Sequence, residues 1–287
     1  MDFELFRKIV DGTYPFLRYI SFDGPGETTM NPEAFRMIRY AKSTGLRVMF
    51  STNCTLLDAA MADIILDAGV DLIIFSVNGV SPEVYESVHG RPCYEQVISN
   101  IEEFIRRKRQ RKAPILVTVQ MVILDETRPQ IAAFYGRWHG VPGVDLVRVK
   151  GDVVCNVKAG EKRSRRGRFT TNPCSRLWHG PAYIDTDGSV YASPGVLYRA
   201  GPVGNVRDQS LADIWNGEQM QYMRRLHIGG NLSALAECVD CAYLQPRLPL
   251  TMVAFLLEPF TAGKFVPLAE RLALWYRLPL FERLGHK

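Results

Sequence analysis

A chain of 287 residues that is 47% hydrophobic can bury a substantial core, as one large α/β domain or a domain with an appendage, which excludes a disordered chain. Its net charge is only +5, and its six cysteines are scattered behind no leader-like start, which argues for a reducing, cytoplasmic setting over a secreted disulfide scaffold. The positive charge collects between Arg106 and Lys112 and between Lys158 and Arg168, a helix end and a Gly/Ser-containing linker, so nucleic acid is not the favoured partner.

From Asp2 to Lys150 short β-rich runs alternate with stretches of helical period, which predicts parallel βα units. A helix over Phe3 to Val10 opens the chain, followed by strands at Tyr19 to Phe22, Arg47 to Ser51, Leu72 to Val77, Ile115 to Val122 and Asp145 to Val149. Helices fall between them at Pro32 to Ser43, Asp58 to Ala68, Tyr94 to Arg109 and Pro129 to Trp138. A βα domain that begins with a helix lacks its expected first strand, and the strand at Tyr19 is then an open apolar edge.

Beyond Gly151 the periodicity stops. The expected organisation is a partial parallel barrel over 1–151, a basic linker over 152–170, a small α+β domain over 171–247 and an apolar, amphipathic tail over 248–287. Within the small domain, Ala182 to Ile184 and Ser189 to Tyr191 flank the turn at Asp185 to Gly188 as a β-hairpin, and Leu211 to Arg225 has helical character. The longest uncharged stretch of the tail, Leu248 to Leu257, is far below the roughly 20 residues a bilayer span needs. Arg271, Arg277 and Arg283 beside Leu272, Trp275 and Leu278 suit docking on a protein surface or contact with a membrane surface.

Two sets of residues carry chemistry. Asp23, Gly24, Pro25, Gly26 and Glu27 follow the first visible strand directly, where parallel α/β folds hold ligands. Glycines admit a ligand close to the backbone, and Glu27 with nearby carbonyls suits an ammonium group. The next two strands also end in small polar residues, Ser51, Thr52 and Asn53, then Ser76, Asn78 and Gly79, with helix capping the plainer role for Asn53 and for Ser81 before Pro82. The second set is Cys174, Ser193, Cys238 and Cys241, a thiolate pattern of metal ligands in which serine occupies one position. Cys54, Cys93 and Cys155 share no ligand spacing and read as small buried or reactive thiols.

Taken in order, Phe3-Glu4-Leu5-Phe6, Gly24-Pro25-Gly26-Glu27, Ser51-Thr52-Asn53, Phe75-Ser76-Val77-Asn78-Gly79, Cys174, Gly188, Gly204-Asn205-Val206 and Cys238-x-x-Cys241 resemble the radical S-adenosylmethionine (radical SAM) superfamily with a C-terminal SPASM or twitch domain. The resemblance implies an α/β fold, a partial parallel (βα) barrel followed by a small SPASM/twitch-like domain. It implies that Gly24, Gly26, Glu27, Ser51, Asn53, Ser76 and Asn78 surround S-adenosylmethionine. It further implies an auxiliary 4Fe-4S cluster on Cys174, Cys238 and Cys241, with Ser193 at the fourth ligand position. A complete member generates a 5′-deoxyadenosyl radical with an external electron donor and abstracts hydrogen from a peptide, small-molecule or lipid-linked substrate.

Two departures from the family pattern matter. The Cys-x-x-x-Cys-x-x-Cys motif that holds the radical-generating cluster occurs nowhere in the chain, and without that iron the one-electron step has no donor. The missing strand and the missing motif are neighbours in the family, so the expectation is a chain short of roughly 20 to 40 residues at its start, with a catalytically inactive binding module or membrane-peripheral partner protein as the rival. Ser193 is a harder ligand than thiolate, which leaves a labile iron–sulfur cluster, zinc or no metal as alternatives at the second set.

Overall fold

A computed structural model describes residues 1–13, 17–151, 174, 176–193, 200–235 and 238. Cys155, Cys241, the linker and the tail over 248–287 lie outside the described residues. The chain divides into two compact units, Met1–Glu161 with Pro181–Tyr222, and Lys162–Gly180 with Met223–Lys287.

The first unit is built on five parallel strands in chain order, β1 (Tyr19–Phe22), β2 (Arg47–Thr52), β3 (Leu72–Ser76), β4 (Leu116–Ile123) and β5 (Leu146–Gly151). The helices are α1 (Phe3–Thr13), α2 (Ala34–Ser43), α3 (Ala59–Asp67), α4 (Pro82–His89), α5 (Tyr94–Arg111) and α6 (Ile131–Trp138). Every strand expected from the sequence forms, with ends within one or two residues. The helix α4 was not expected as an element; Ser81 and Pro82 mark its start, but its eight residues offer little period to read.

Alternation along the strands divides the sheet into two faces. Val48 and Phe50 of β2, Ile73 and Phe75 of β3, and Val117, Val119 and Met121 of β4 are buried in one core with Phe35, Ile38, Ile65, Ile101, Phe104 and Phe134 from the helices. The opposite face carries the other parity, and register places its residues in rows. Ser21, Met49, Leu72 and Leu116 form the row nearest the strand starts, and Ser51, Ile74, Thr118 and Leu146 the next. Ser76, Gln120 and Arg148 then lie side by side on β3, β4 and β5, and Val122 and Lys150 beyond them. Polarity on this inner face therefore rises towards the carboxyl ends of the strands.

Two aspartates fix the register. Asp71, just before β3, accepts from the Val48 backbone N–H at 2.7 Å and from Lys42 Nζ at 2.6 Å. Asp145, just before β5, accepts from the Val117 N–H at 2.7 Å and is paired with Lys108. In each case a carboxylate takes up the N–H of the neighbouring strand's second residue and binds it to a lysine of a covering helix, so a polar group does sheet and layer work together.

Among the described residues β1 pairs only with β2, and Tyr19 on it is 48% exposed. Helix α1 packs on this end of the sheet, with the Phe6 and Phe22 rings 5.6 Å apart and the Phe3 and Tyr40 rings edge to face at the same spacing. Its other side, Leu5 and Ile9, buries against Val190, Val206 and Ile214. Helix α1 thus joins the parallel sheet to a small antiparallel one, β6 (Tyr183–Ile184), β7 (Ser189–Tyr191) and β8 (Gly204–Asn205). The expected hairpin is β6 and β7; the third strand, two residues long, was not legible as a strand. Gly217 divides the expected helix at Leu211 to Arg225 into Leu211–Asn216 and Glu218–Ile228.

Candidate functional site

The loop after β1 is where the sheet's polar face meets its rim. Gly26 sits at φ +120°, a conformation that favours glycine. At Gly24 the constraint is proximity, since an added Cβ would lie 2.6 Å from the Tyr183 hydroxyl of β6. The antiparallel sheet therefore presses a tyrosine against the loop, a contact that nothing in the loop's own sequence announces.

Glu27 anchors the loop. Its Oε1 accepts from the Thr29 N–H at 3.2 Å and Thr29 Oγ1 at 2.8 Å, and its Oε2 accepts from the Asn53 N–H at 2.8 Å. The last bond ties the loop after β1 to the loop after β2. A carboxylate offers about four acceptor directions, so Oε2 keeps capacity for a cationic ligand.

Asn53 Oδ1 accepts from Thr55 N–H and Oγ1 at 2.9 and 2.6 Å, closing an Asx turn and not capping a helix; α3 is capped instead by Asp58, which accepts from the Met61 N–H at 2.8 Å. Asn78 Oδ1 accepts from the Val122 N–H at 2.9 Å and so extends the β3–β4 ladder by one side-chain bond. Their carbonyl oxygens brace the rim, while each amide NH2 group remains a donor. Ser51 of β2 and Ser76 of β3 belong to the inner face by register. Sequence reading passed over Thr118, Gln120 and Arg148, which share that face; the parity of Thr-Val-Gln and Leu-Val-Arg-Val-Lys was the available signal.

Behind the rim, Cys54 is fully buried at φ +63°, and its thiol is pushed well above its usual range by burial and then by the Glu27 carboxylate. Tyr85 is buried against His89, with ring centroids 4.2 Å apart, and its hydroxyl is pushed up by burial and then by Cys93.

In the second unit the Cys174 N–H donates to His227 Nδ1 at 3.2 Å. His227 is 1% exposed, and burial holds its imidazole below the usual range. Cys238 is buried, and its N–H donates to the Leu235 carbonyl at 2.8 Å. Ser193, also buried, belongs to the first unit. Among the described residues no three His, Cys, Asp or Glu side chains converge as metal ligands, and Cys241 is outside them. Three cysteines and a serine are nonetheless a donor set that iron–sulfur or zinc chemistry accepts.

Comparison with known proteins decides the family. Residues 7–136 match the Radical SAM superfamily and residues 174–242 an iron–sulfur cluster-binding domain, SPASM. The chain is a radical SAM protein with a SPASM domain. It is 26% identical, over 84% of its length and 79% of the relative's, to the tungsten-containing aldehyde ferredoxin oxidoreductase cofactor-modifying protein of Pyrococcus furiosus. It is 32% identical to the AdoMet-dependent heme synthase of Methanosarcina barkeri, over 35% of this chain and 29% of that one. Native anSMEcpe with bound AdoMet shares the fold at TM-score 0.59, with 13% identity across 94% of this chain and 90% of that structure.

The two cofactors of a radical SAM protein fit these residues unequally. The rim suits S-adenosylmethionine: open glycine backbone at Gly26, a carboxylate at Glu27 and inner-face hydroxyls at Ser51 and Ser76. The radical-generating cluster does not fit, because no Cys-x-x-x-Cys-x-x-Cys occurs among the 287 residues. Among the described residues no helix is long and apolar enough to cross a membrane.

Proposed function

We propose that this radical SAM protein binds S-adenosylmethionine along the carboxyl rim of its parallel sheet and serves the modification of a cofactor-like or haem-like small molecule. The observation that carries the reading is Glu27, held by Thr29 and Asn53 at the mouth of a glycine loop, with Ser51 and Ser76 on the adjoining inner face. The Glu27 carboxylate and the loop carbonyls accept from the methionyl ammonium, the hydroxyls of Ser51 and Ser76 face the same ligand, and Asn53 and Asn78 keep the two following turns in place. S-adenosylmethionine would supply hydrogen-abstraction chemistry only with a reduced iron–sulfur cluster, and this chain has no Cys-x-x-x-Cys-x-x-Cys to hold one. This chain's own part is to bind and orient.

The substrate class is supported by the relatives, one a cofactor-modifying protein and another a haem synthase. Isothermal titration of the full chain with S-adenosylmethionine tests the binding step. Saturable one-to-one binding, weakened about tenfold or more in Glu27→Gln, equivalent to about 1.4 kcal/mol, is the expected result. Absence of binding at millimolar ligand overturns it.

The absent cysteine motif favours a second reading, a binding module without radical chemistry. After anaerobic supply of iron, sulfide and a reductant, 5′-deoxyadenosine is the discriminating product: its formation removes the second reading, and bound but intact S-adenosylmethionine supports it.

A further inference from the structure

The inner face holds a cation that the S-adenosylmethionine site does not use. Arg148 stands on β5 beside Gln120 of β4, which stands beside Ser76 of β3, and all three share one row of the register. Gln120 is 5% exposed, Arg148 is solvent-accessible, and Thr118 one row below is buried. None of the side chains of Ser76, Thr118, Gln120 and Arg148 makes a hydrogen bond or ion pair with another described residue. Lys150, one row nearer the rim on the same face, makes an interaction of its own.

The polar atoms of Gln120 and Thr118 are not among the described buried atoms that lack a partner, so they stay open to water or to a ligand on this face. A guanidinium presents a planar fork, and the neighbouring carboxamide adds a further N–H donor. One positive charge beside neutral donors matches one carboxylate. A phosphate dianion is better served by paired cations or by a cradle of backbone N–H groups, and this row has neither.

We infer that Arg148 and Gln120 form a carboxylate subsite for the substrate, separate from the place of S-adenosylmethionine. The inference rests on the proposed position of that cofactor and adds the substrate's chemical class. Distance separates the two anions. Glu27 is tethered to Asn53 at the end of β2, and a carboxylate between Gln120 and Arg148 lies between β4 and β5. Strands are spaced about 4.8 Å apart, which puts that carboxylate roughly 12 Å from β2 along the sheet. The ammonium and carboxylate of one amino acid share a carbon and lie about 3 Å apart. A methionine whose ammonium meets Glu27 cannot place its own carboxylate there.

Phenylglyoxal modification of Arg148 in the full chain, followed by peptide mass mapping, tests this directly. The probes are succinate and protoporphyrin IX, each against its dimethyl ester, together with inorganic phosphate and S-adenosylmethionine. Protection of Arg148 by at least one acid, threefold or more in rate and lost in its ester and in Gln120→Leu, is the expected result. Equal protection by phosphate, protection by S-adenosylmethionine, or protection by neither acid overturns the inference. Titration of Arg148→Ala with S-adenosylmethionine keeps the two readings apart. Unchanged affinity is expected, a parallel loss returns Arg148 to the cofactor, and a wild-type chain that binds no S-adenosylmethionine while Arg148 is still protected by acid fails only the earlier reading.

Discussion

Glu27 and Asn53 belong to loops after different strands, yet the Glu27 carboxylate accepts the Asn53 backbone N–H at 2.8 Å. One side chain thereby sets the spacing of two rim loops, and it also satisfies Thr29. Bonds to a charged acceptor contribute more than neutral ones, about 1.5–3 kcal/mol net. Glu27→Ala is expected to lower unfolding stability by about 1.5–3 kcal/mol and to speed amide exchange at Thr29 and Asn53, read by urea denaturation and hydrogen-exchange mass spectrometry. A change below about 0.5 kcal/mol with unaltered exchange would mean that the loops hold their spacing by packing alone.

Gly79 follows the rim asparagine of β3 and adopts φ +144°, where an added Cβ would sit 2.9 Å from the Tyr85 backbone nitrogen. Backbone cannot swing aside as a side chain can, and the conformation itself disfavours other residues. Gly79→Ala should therefore destabilise the fold by about 1–3 kcal/mol, while Gly140→Ala, also at positive φ but with open space around it, pays only the conformational cost. Equal melting temperatures for the two variants would remove the close approach as the cause.

The sheet was legible because its strands are short apolar runs with turn residues at their ends, and the alternation that identifies a strand also assigns its faces. Ser51 and Ser76 were found by their position at strand ends. Arg148 and Gln120 were passed over because a single charged or amide residue inside an apolar run reads as a solvent-facing position, and only the register shows them to be neighbours. The contact of Tyr183 with Gly24 is a long-range event with no local signal, as is the donation from Asn53 to Glu27. Likewise residue type alone does not show that the Oδ1 atoms of Asn53 and Asn78 brace the rim backbone.

His89 and His227 give the fold a pH dependence. Burial holds both imidazoles below the usual range, and Nε2 of each is buried without a hydrogen-bond partner. The unfolded chain then binds the proton more readily than the folded one. Stability is complete above the ordinary imidazole value of 6.5 and is lost as pH falls through it towards the lower folded values. The urea midpoint should drop between about pH 8 and pH 5.5. The drop should be smaller in His89→Phe, which keeps a ring stacked on Tyr85 but cannot titrate. An unchanged drop in that variant would assign the effect to other groups.

Cys54 should be chemically inert in the native protein although it lies beside the candidate site. Its side chain is fully buried, its N–H donates to Thr52 Oγ1 at 3.0 Å, and its thiol is pushed well above the usual range by burial and by the Glu27 carboxylate. The thiolate is the reacting species, so both access and ionisation oppose alkylation. Cys93, at the start of α5, is partly exposed. Iodoacetamide at about pH 8, quenched and mapped by mass spectrometry, should label Cys93 in the native chain and label Cys54 only after urea is added. Comparable native rates at the two residues would show that the rim opens often enough to expose its own foundation, and stability at Glu27 would then have to be reassigned to a less rigid loop.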